Sequence, residues 1–371
     1  MSEAGQPSQS GWQITQSIAI ELDTMLAVLS GQFVFGAVPA HVLPLLEQTP
    51  ADWLAELPEM VGGLKGFFGL LTHIANWAGV LESGDYSSAT LAMRQMSARQ
   101  AVSHLGVDLP QSVENVDAAQ RLVDLHVDAI LEAERGVSLL SESVSAQRAR
   151  YQQEAGQAAR FLQGGDLSTR FWHWLDRFYY QVYQSWRESQ LESMREVEQH
   201  ALTVLGSPQN DGTPPQTDWL PAQNPLVNRP GLNAAVNQGD IKVIFWIEPF
   251  GLVDLWTIFP GKVITAIAQP GVLLENFFNF ASQLAARAQA LADPTRLVIL
   301  RMIRHFAMTN TEIAAYLGIS RPTVSVHAKI LREAGLIDTY EVGRAVQHKI
   351  EPAALRKLFE DLIQFLDLPE E

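Results

Sequence analysis

Thr309 to Ile337 reads TNTEIAAYLGISRPTVSVHAKILREAGLI, and the punctuation of this run decides the fold of the last quarter of the chain. Thr309 and Glu312 have the spacing of a capping box, in which the threonine hydroxyl satisfies an orphan backbone N–H and the glutamate reaches back to the cap. Ile313 to Leu317 then predicts a short helix. It ends at Gly318, which has no Cβ to oppose a left-handed turn. Ser320 is a second cap with Pro322 in the first turn behind it, and Val324, Ala328, Leu331 and Ala334 fall on the inner side of a further helix that Gly335 closes.

Working outward, Asp293 and Pro294 start an earlier helix that runs to His305, with Leu297, Ile299, Leu300 and Ile303 as its apolar face. Downstream, Ile337–Tyr340 and Val346–Ile350 alternate as two strands about Val342-Gly343-Arg344. Helices followed by such a hairpin predict a winged helix-turn-helix. Arg321, Thr323, Ser325, His327, Lys329 and Arg332 are then the groups that meet base edges or phosphates of double-stranded DNA in the major groove. Thr311 and Ser320 join them at the two helix starts, and Arg344 at the hairpin tip is placed to enter a minor groove.

ALADPTRLVIL (Ala290 to Leu300) and EIAAYLGISRPTVSVHAKILREAGLI (Glu312 to Ile337) resemble the ArsR type of winged helix-turn-helix repressor, over roughly a quarter of the chain. The resemblance implies a homodimer on an inverted-repeat operator, with half-sites about 34 Å apart. It also implies that the last helix packs with the first across the dimer. Leu355, Leu358, Phe359, Leu362 and Phe365, continued by Leu366, form the stripe expected to do so; the alternative is that this stripe packs on the chain's own other domain. Departures from the family pattern matter. Thr309, Asn310 and Thr311 stand where metal-sensing members carry Cys, and the last helix has Glu360 and Asp361 but no His, so neither metal nor cofactor is expected. No base contact is carried onto Val326, and Glu341 makes the wing less basic than usual.

The net charge of −15 fits a DNA binder only when divided along the sequence. Residues 1–283 carry 15 Lys+Arg against 30 Asp+Glu, whereas residues 284–350 carry 9 against 5, so one basic module sits on an acidic body. With 371 residues, at least two packed units are expected. There is no cysteine, which removes disulfides, thiolate metal sites and cysteine nucleophiles together. The polar start shows no secretory pattern, and the uncharged run Met25–Leu46 is interrupted by Gln32, Pro39, His41 and Pro44; a cytoplasmic protein with no membrane span is expected.

The fold class expected is mainly α: an all-α N-terminal domain with a small antiparallel β segment, then the winged helix-turn-helix. Residues 1–206 are assigned to helices, the pattern starting at Ile14; 207–231 to a Pro-rich loop; 232–271 to the β segment; and 272–371 to the DNA-binding domain with its dimerisation helix. FWHWLDRFYYQVYQSW (Phe171–Trp186) is apolar on two faces, which suits core packing, an apolar ligand pocket at Trp172, His173, Tyr179 and Tyr183, or a dimer contact. His73, His104, His126, His173 and His200 show no metal-ligand spacing, and no phosphate-binding or nucleophile motif appears, so an enzyme is not expected. The body is expected to sense a non-metal small-molecule effector, or else to be an interaction or dimer-spacing scaffold with no effector.

Overall fold

The computed structural model describes residues 11–30, 38–61, 69–133, 144–205, 226, 230–238, 241–251, 256–268, 272–342 and 345–366. It divides into two compact units, one of Met1–Phe33 with Val38–Leu273 and the other built on Leu274–Glu371.

The first unit starts with a strand, β1 (Trp12–Thr15), and a helix, α1 (Ile18–Leu29), capped by Ser17. Then come α2 (Leu43–Gln48), α3 (Ala51–Val61), α4 (Leu70–Trp77), α5 (Tyr86–Gln95), α6 (Ala98–His104), α7 (Asn115–Ala133) and α8 (Val144–Phe161). α9 (Asp166–Phe178) passes through a π-helical turn (Tyr179–Tyr183) into α10 (Gln184–Leu205). α11 (Pro230–Gln238) precedes three strands, β2 (Lys242–Ile247), β3 (Trp256–Phe259) and β4 (Lys262–Ile267).

The strands form one sheet in the order β1-β2-β4-β3. Its two faces follow the period of two along each strand. Ile244, Trp246, Ile264 and Ala266 enter the large core shared with the helices from α1 to α9. Val243, Phe245, Ile247, Val263 and Ile267 enter a second core with Trp12, α10 and α11. The first unit is therefore layered, with helices on both faces of a central sheet.

Here the structure corrects the sequence reading. An antiparallel segment was expected, yet only β3 and β4 pair that way; β1 with β2 and β2 with β4 are parallel. The reason is range. A hairpin is announced by its turn, whereas Trp12 pairs with Val243 across most of the chain, a distance no local pattern carries. The helical pattern assigned from Ile14 likewise starts at Ile18 instead, because residues 12–15 close the sheet edge. Residues 226, 230 and 231 apart, the Pro-rich stretch lies outside the described residues. Among the described residues no helix is long and apolar enough to cross a membrane.

All twelve residues of α1 are buried, including Glu21, Asp23 and Thr24. Each polar group is answered. Asp23 Oδ1 accepts from the Leu71 N–H at 3.0 Å, and its Oδ2 from the N–H and hydroxyl of Thr72, both at 2.6 Å, so it caps the first turn of α4 from another helix. Glu21 Oε2 accepts from the Tyr183 hydroxyl at 2.9 Å and from Arg187 Nε at 2.6 Å. On the far side of α4, His73 donates from Nδ1 to the Gly69 carbonyl, and His126 Nδ1 accepts from the Trp77 indole.

Burial pushes the imidazole of His73 down to about 4, and that of His126 well below its usual value. In the unfolded chain both titrate near 6.5, so the stability they confer is present above that pH and is lost as pH falls below it. All nine tryptophans precede residue 257, so indole fluorescence reports the first unit alone. Between pH 7.5 and 5, the urea midpoint should fall in the wild type, with about 2 kcal/mol of the loss due to His73. His73→Phe should lose that much less; an equal loss in both would remove His73 from the explanation.

Candidate nucleic-acid interface

In the second unit, α12 (Val272–Leu291) leads into α13 (Pro294–Phe306), capped by Asp293, whose side chain accepts from the Arg296 N–H. α14 (Asn310–Leu317) opens on the full capping box: the Thr309 N–H donates to Glu312 at 2.7 Å, and the Glu312 N–H donates to the Thr309 hydroxyl. Those bonds hold the exposed Glu312 carboxyl below its ordinary range. Gly318 turns the chain at φ +66°, and Ser320 caps α15 (Arg321–Glu333). Strands β5 (Ile337–Val342) and β6 (Ala345–Ile350) pair antiparallel, and α16 (Pro352–Phe365) follows.

Ile299, Leu300, Ile303, Ile313, Val324 and Leu331 share one core, so three helices are fixed by their inner faces. What α15 leaves outside is the candidate surface. Arg321, Thr323, Ser325, Lys329 and Arg332 are exposed, as are Ser320 at its cap and Thr311 on α14. Lys329 pairs with Glu333 at 3.6 Å; both are solvent-exposed. Arg344 lies outside the described residues.

His327 departs from the expected set. It is half-buried, with Nδ1 shielded from water and without a hydrogen-bond partner. At seven residues after the cap, it turns towards the side of the helix that Val324 and Ala328 bury. Val326 takes the outward place, 58% exposed.

A polar tie ties the hairpin to the helices, and the sequence did not announce it. The Thr339 hydroxyl donates to His348 Nδ1 at 2.9 Å, His348 Nε2 donates to Asn310 Oδ1 at 2.9 Å, and Asn310 Nδ2 donates to the Ser325 hydroxyl at 3.4 Å. Thr339 and His348 are cross-strand partners, so one buried imidazole links both wing strands to α14 and, through Asn310, to α15. A histidine at i and threonine at j across a predicted hairpin was the available signal.

The stripe on α16 divides. Leu358 is 1% exposed and Leu355 packs on the unit's own core, so the expectation that both face a partner is corrected. The orientation is set by Arg287 of α12, which pairs with Asp361 at 3.0 Å and donates to the Ala354 carbonyl, while Phe365 meets Phe280. Leu362 is half-buried beside them. Phe359, Ile363 and Leu366 are left outside. Leu297, expected inward on α13, is also exposed.

In the first unit, Trp172, His173, Tyr179 and Tyr183 do not line a common cavity. Tyr183 is fully buried against Glu21, Tyr179 stacks on Tyr86 at 3.6 Å, Trp172 lies beneath Arg94, and His173 is exposed on the opposite side of α9. A cavity of about 210 Å³ opens elsewhere, between α10 and the ends of β2 and β4. Among the described residues no three His, Asp or Glu side chains gather as a metal site.

Comparison with known proteins converges on the second unit. The family model described as "Bacterial regulatory protein, arsR family" matches residues 293–339. The HTH-type transcriptional regulator NmtR of Mycobacterium tuberculosis is 31% identical over 83 residues, which is 22% of this chain and 69% of the relative. CmtR of Mycobacterium bovis, another HTH-type transcriptional regulator, is 39% identical over 84 residues, 22% of this chain and 70% of its own. The transcriptional repressor SdpR of Bacillus subtilis is 29% identical over 79 residues, 21% and 88% respectively. A solved ArsR-like transcriptional regulator from a Rhodococcus species aligns with 24% of this chain and 82% of its own at 28% identity and a TM-score of 0.22.

Removing the imidazole at the wing root strands Thr339 and Asn310. His348→Ala should cost about 1–3 kcal/mol of local stability. Amide exchange at Thr339–Val342 should quicken about tenfold or more while that of α13 stays unchanged. Unaltered exchange in the hairpin would show that the tie does not hold it.

Proposed function

The chain belongs to the arsR family of bacterial regulatory proteins, and from that premise we propose that it is a homodimeric repressor reading an inverted-repeat operator through α15, its occupancy set by a small non-metal ligand bound to the first unit. The relatives are named as regulators of transcription, one of them as a repressor. The observation that carries the DNA reading is the outward face of α15, where two Arg, one Lys and two hydroxyls stand exposed on a helix held from behind by Val324, Ala328 and Leu331. Arg offers a bidentate fork for guanine, and Lys a point charge for phosphate. Thr311 and Ser320 suit phosphate contacts at helix starts, and Arg344 a contact from the wing.

Dimerisation is supported by Phe359, Ile363 and Leu366, at helical spacings of four and three, a row of large apolar side chains in water on one face of α16. Ligand sensing is supported over a bare scaffold by the cavity beside α10, and by the large exposed apolar side chains among the described residues of the first unit, which fall singly on separate elements: Leu43, Leu91, Val116, Val144 and Tyr180. Localisation in the cytoplasm, where DNA is reached, follows from the same reading.

With a duplex selected from random sequence, Arg321→Ala should cost about 1–3 kcal/mol and relax preference at one position, whereas Lys329→Ala should weaken all sequences and lower the salt slope by about one. His327→Ala should leave affinity within about twofold. A His327 variant weaker than the Arg321 variant would reverse the assignment of the helix face.

Native mass spectrometry of protein purified from its host should show a dimer, with a small molecule retained. The Phe359→Asp, Leu366→Asp double variant should be monomeric with a folded second unit. A dimer persisting in that variant would place the contact elsewhere.

A further inference from the structure

Val326 lies two residues after Val324 and two before Ala328, both of them buried. At about 100° per residue it therefore stands about 160° round α15 from each and points straight away from the core. It is 58% exposed. Its isopropyl group has neither donor nor acceptor, so at the middle of the surface that α15 offers to a groove it can make no hydrogen bond.

Pro322 and Thr323, one turn earlier, lie on the same side of the helix and are also exposed. The Thr323 hydroxyl pairs with that of Ser320 at 2.8 Å, at the cap. Lys329 comes one turn after Val326, and Glu333, its partner at 3.6 Å, lies a further turn along the same face. A carboxylate there opposes close approach of phosphates, so the stretch from Ser320 to Lys329 is the part of the face suited to a groove, and Val326 lies within it.

The floor of a major groove presents hydrogen-bond donors and acceptors at every base pair, and one apolar group, the C5 methyl of thymine. An isopropyl group laid over a donor or acceptor takes water from it and returns nothing. Laid over a methyl, it removes apolar surface from water on both sides. An outward valine thus discriminates among base pairs by the one contact that it can make without loss. We infer that Val326 is a specificity-determining residue that packs on the C5 methyl of one thymine in each half-site. The inference rests on the operator reading given above and adds a base to it.

Uracil in place of thymine tests it, since the exchange removes the methyl and keeps every hydrogen-bonding group of the base. In a duplex selected from unmodified random DNA, thymine is the sole carrier of that methyl. Each thymine is exchanged in turn, in both half-sites, and the Kd of every duplex is measured for the wild type and for Val326→Ala. At one thymine the exchange should weaken the wild type about fourfold per half-site. Val326→Ala should bind the thymine duplex more weakly by a similar factor and respond to the exchange at that position less than about twofold. Alanine favours an exposed helical position, so the thermal midpoint of the variant should not fall, which separates a lost contact from a lost fold. Equal responses of the two proteins, or no thymine whose methyl matters to the wild type, would overturn the role of Val326; the operator reading would then still stand on the loss in Arg321→Ala. A selection that enriches no duplex would overturn both.

Discussion

A carboxylate withdrawn from water needs charge-assisted partners, since an unpaired one costs several kcal/mol. Glu21 and Asp23, two residues apart on a helix buried all round, impose that requirement on the first unit from its centre. Asp23 fixes where α4 begins, because only the free N–H groups of a helix start can answer it there. Glu21 draws Tyr183 and Arg187 inward from the far end of the chain segment. Those two are four residues apart, Arg187 in the first turn of α10 and Tyr183 at the end of the π-helical turn. The extra residue in that turn re-aims the side chains that follow, placing Tyr183 against Glu21 and Trp186 against His41 and Phe250.

The second unit was legible because its rules are local. A cap acts over three residues and a glycine over one, and the apolar faces of α13 to α15 are close to what a 3.6 period predicts. The misplaced residues are those where a few tens of degrees decide. Leu297 and Leu358 lie near the edge of their faces, and the Arg287–Asp361 pair, made between distant helices, rotates α16 so that Leu358 goes in and Ile363 stays out. His327 is an edge case of the same kind: it follows Val324 by three residues and is half-buried, between the outward and inward faces of α15.

In the first unit, the strands near residues 242–267 were recognisable from their Val, Ile, Phe and Trp content, but neither their direction nor their fourth member was. The aromatic run Phe171–Trp186 was visible as a helix apolar on two sides. That the ligand-sized space lies past its end, against Gln190 and Ser193, could not be seen, because a cavity is what several distant elements leave unfilled. Only the third dimension shows that nothing on α1 faces water.

The parallel pairing of β1 with β2 also bears on how the protein is made. Trp12 leaves the ribosome well ahead of its partner Val243, with most of the first unit still to be made between them. At about 5–20 residues per second the sheet waits some 12–50 seconds for its second strand. Throughout that interval α1, with no polar side of its own, has no sheet to lie on. The nascent chain thus holds a helix buried on every side without a finished berth until β2 has been made, a window in which chaperone capture competes with folding.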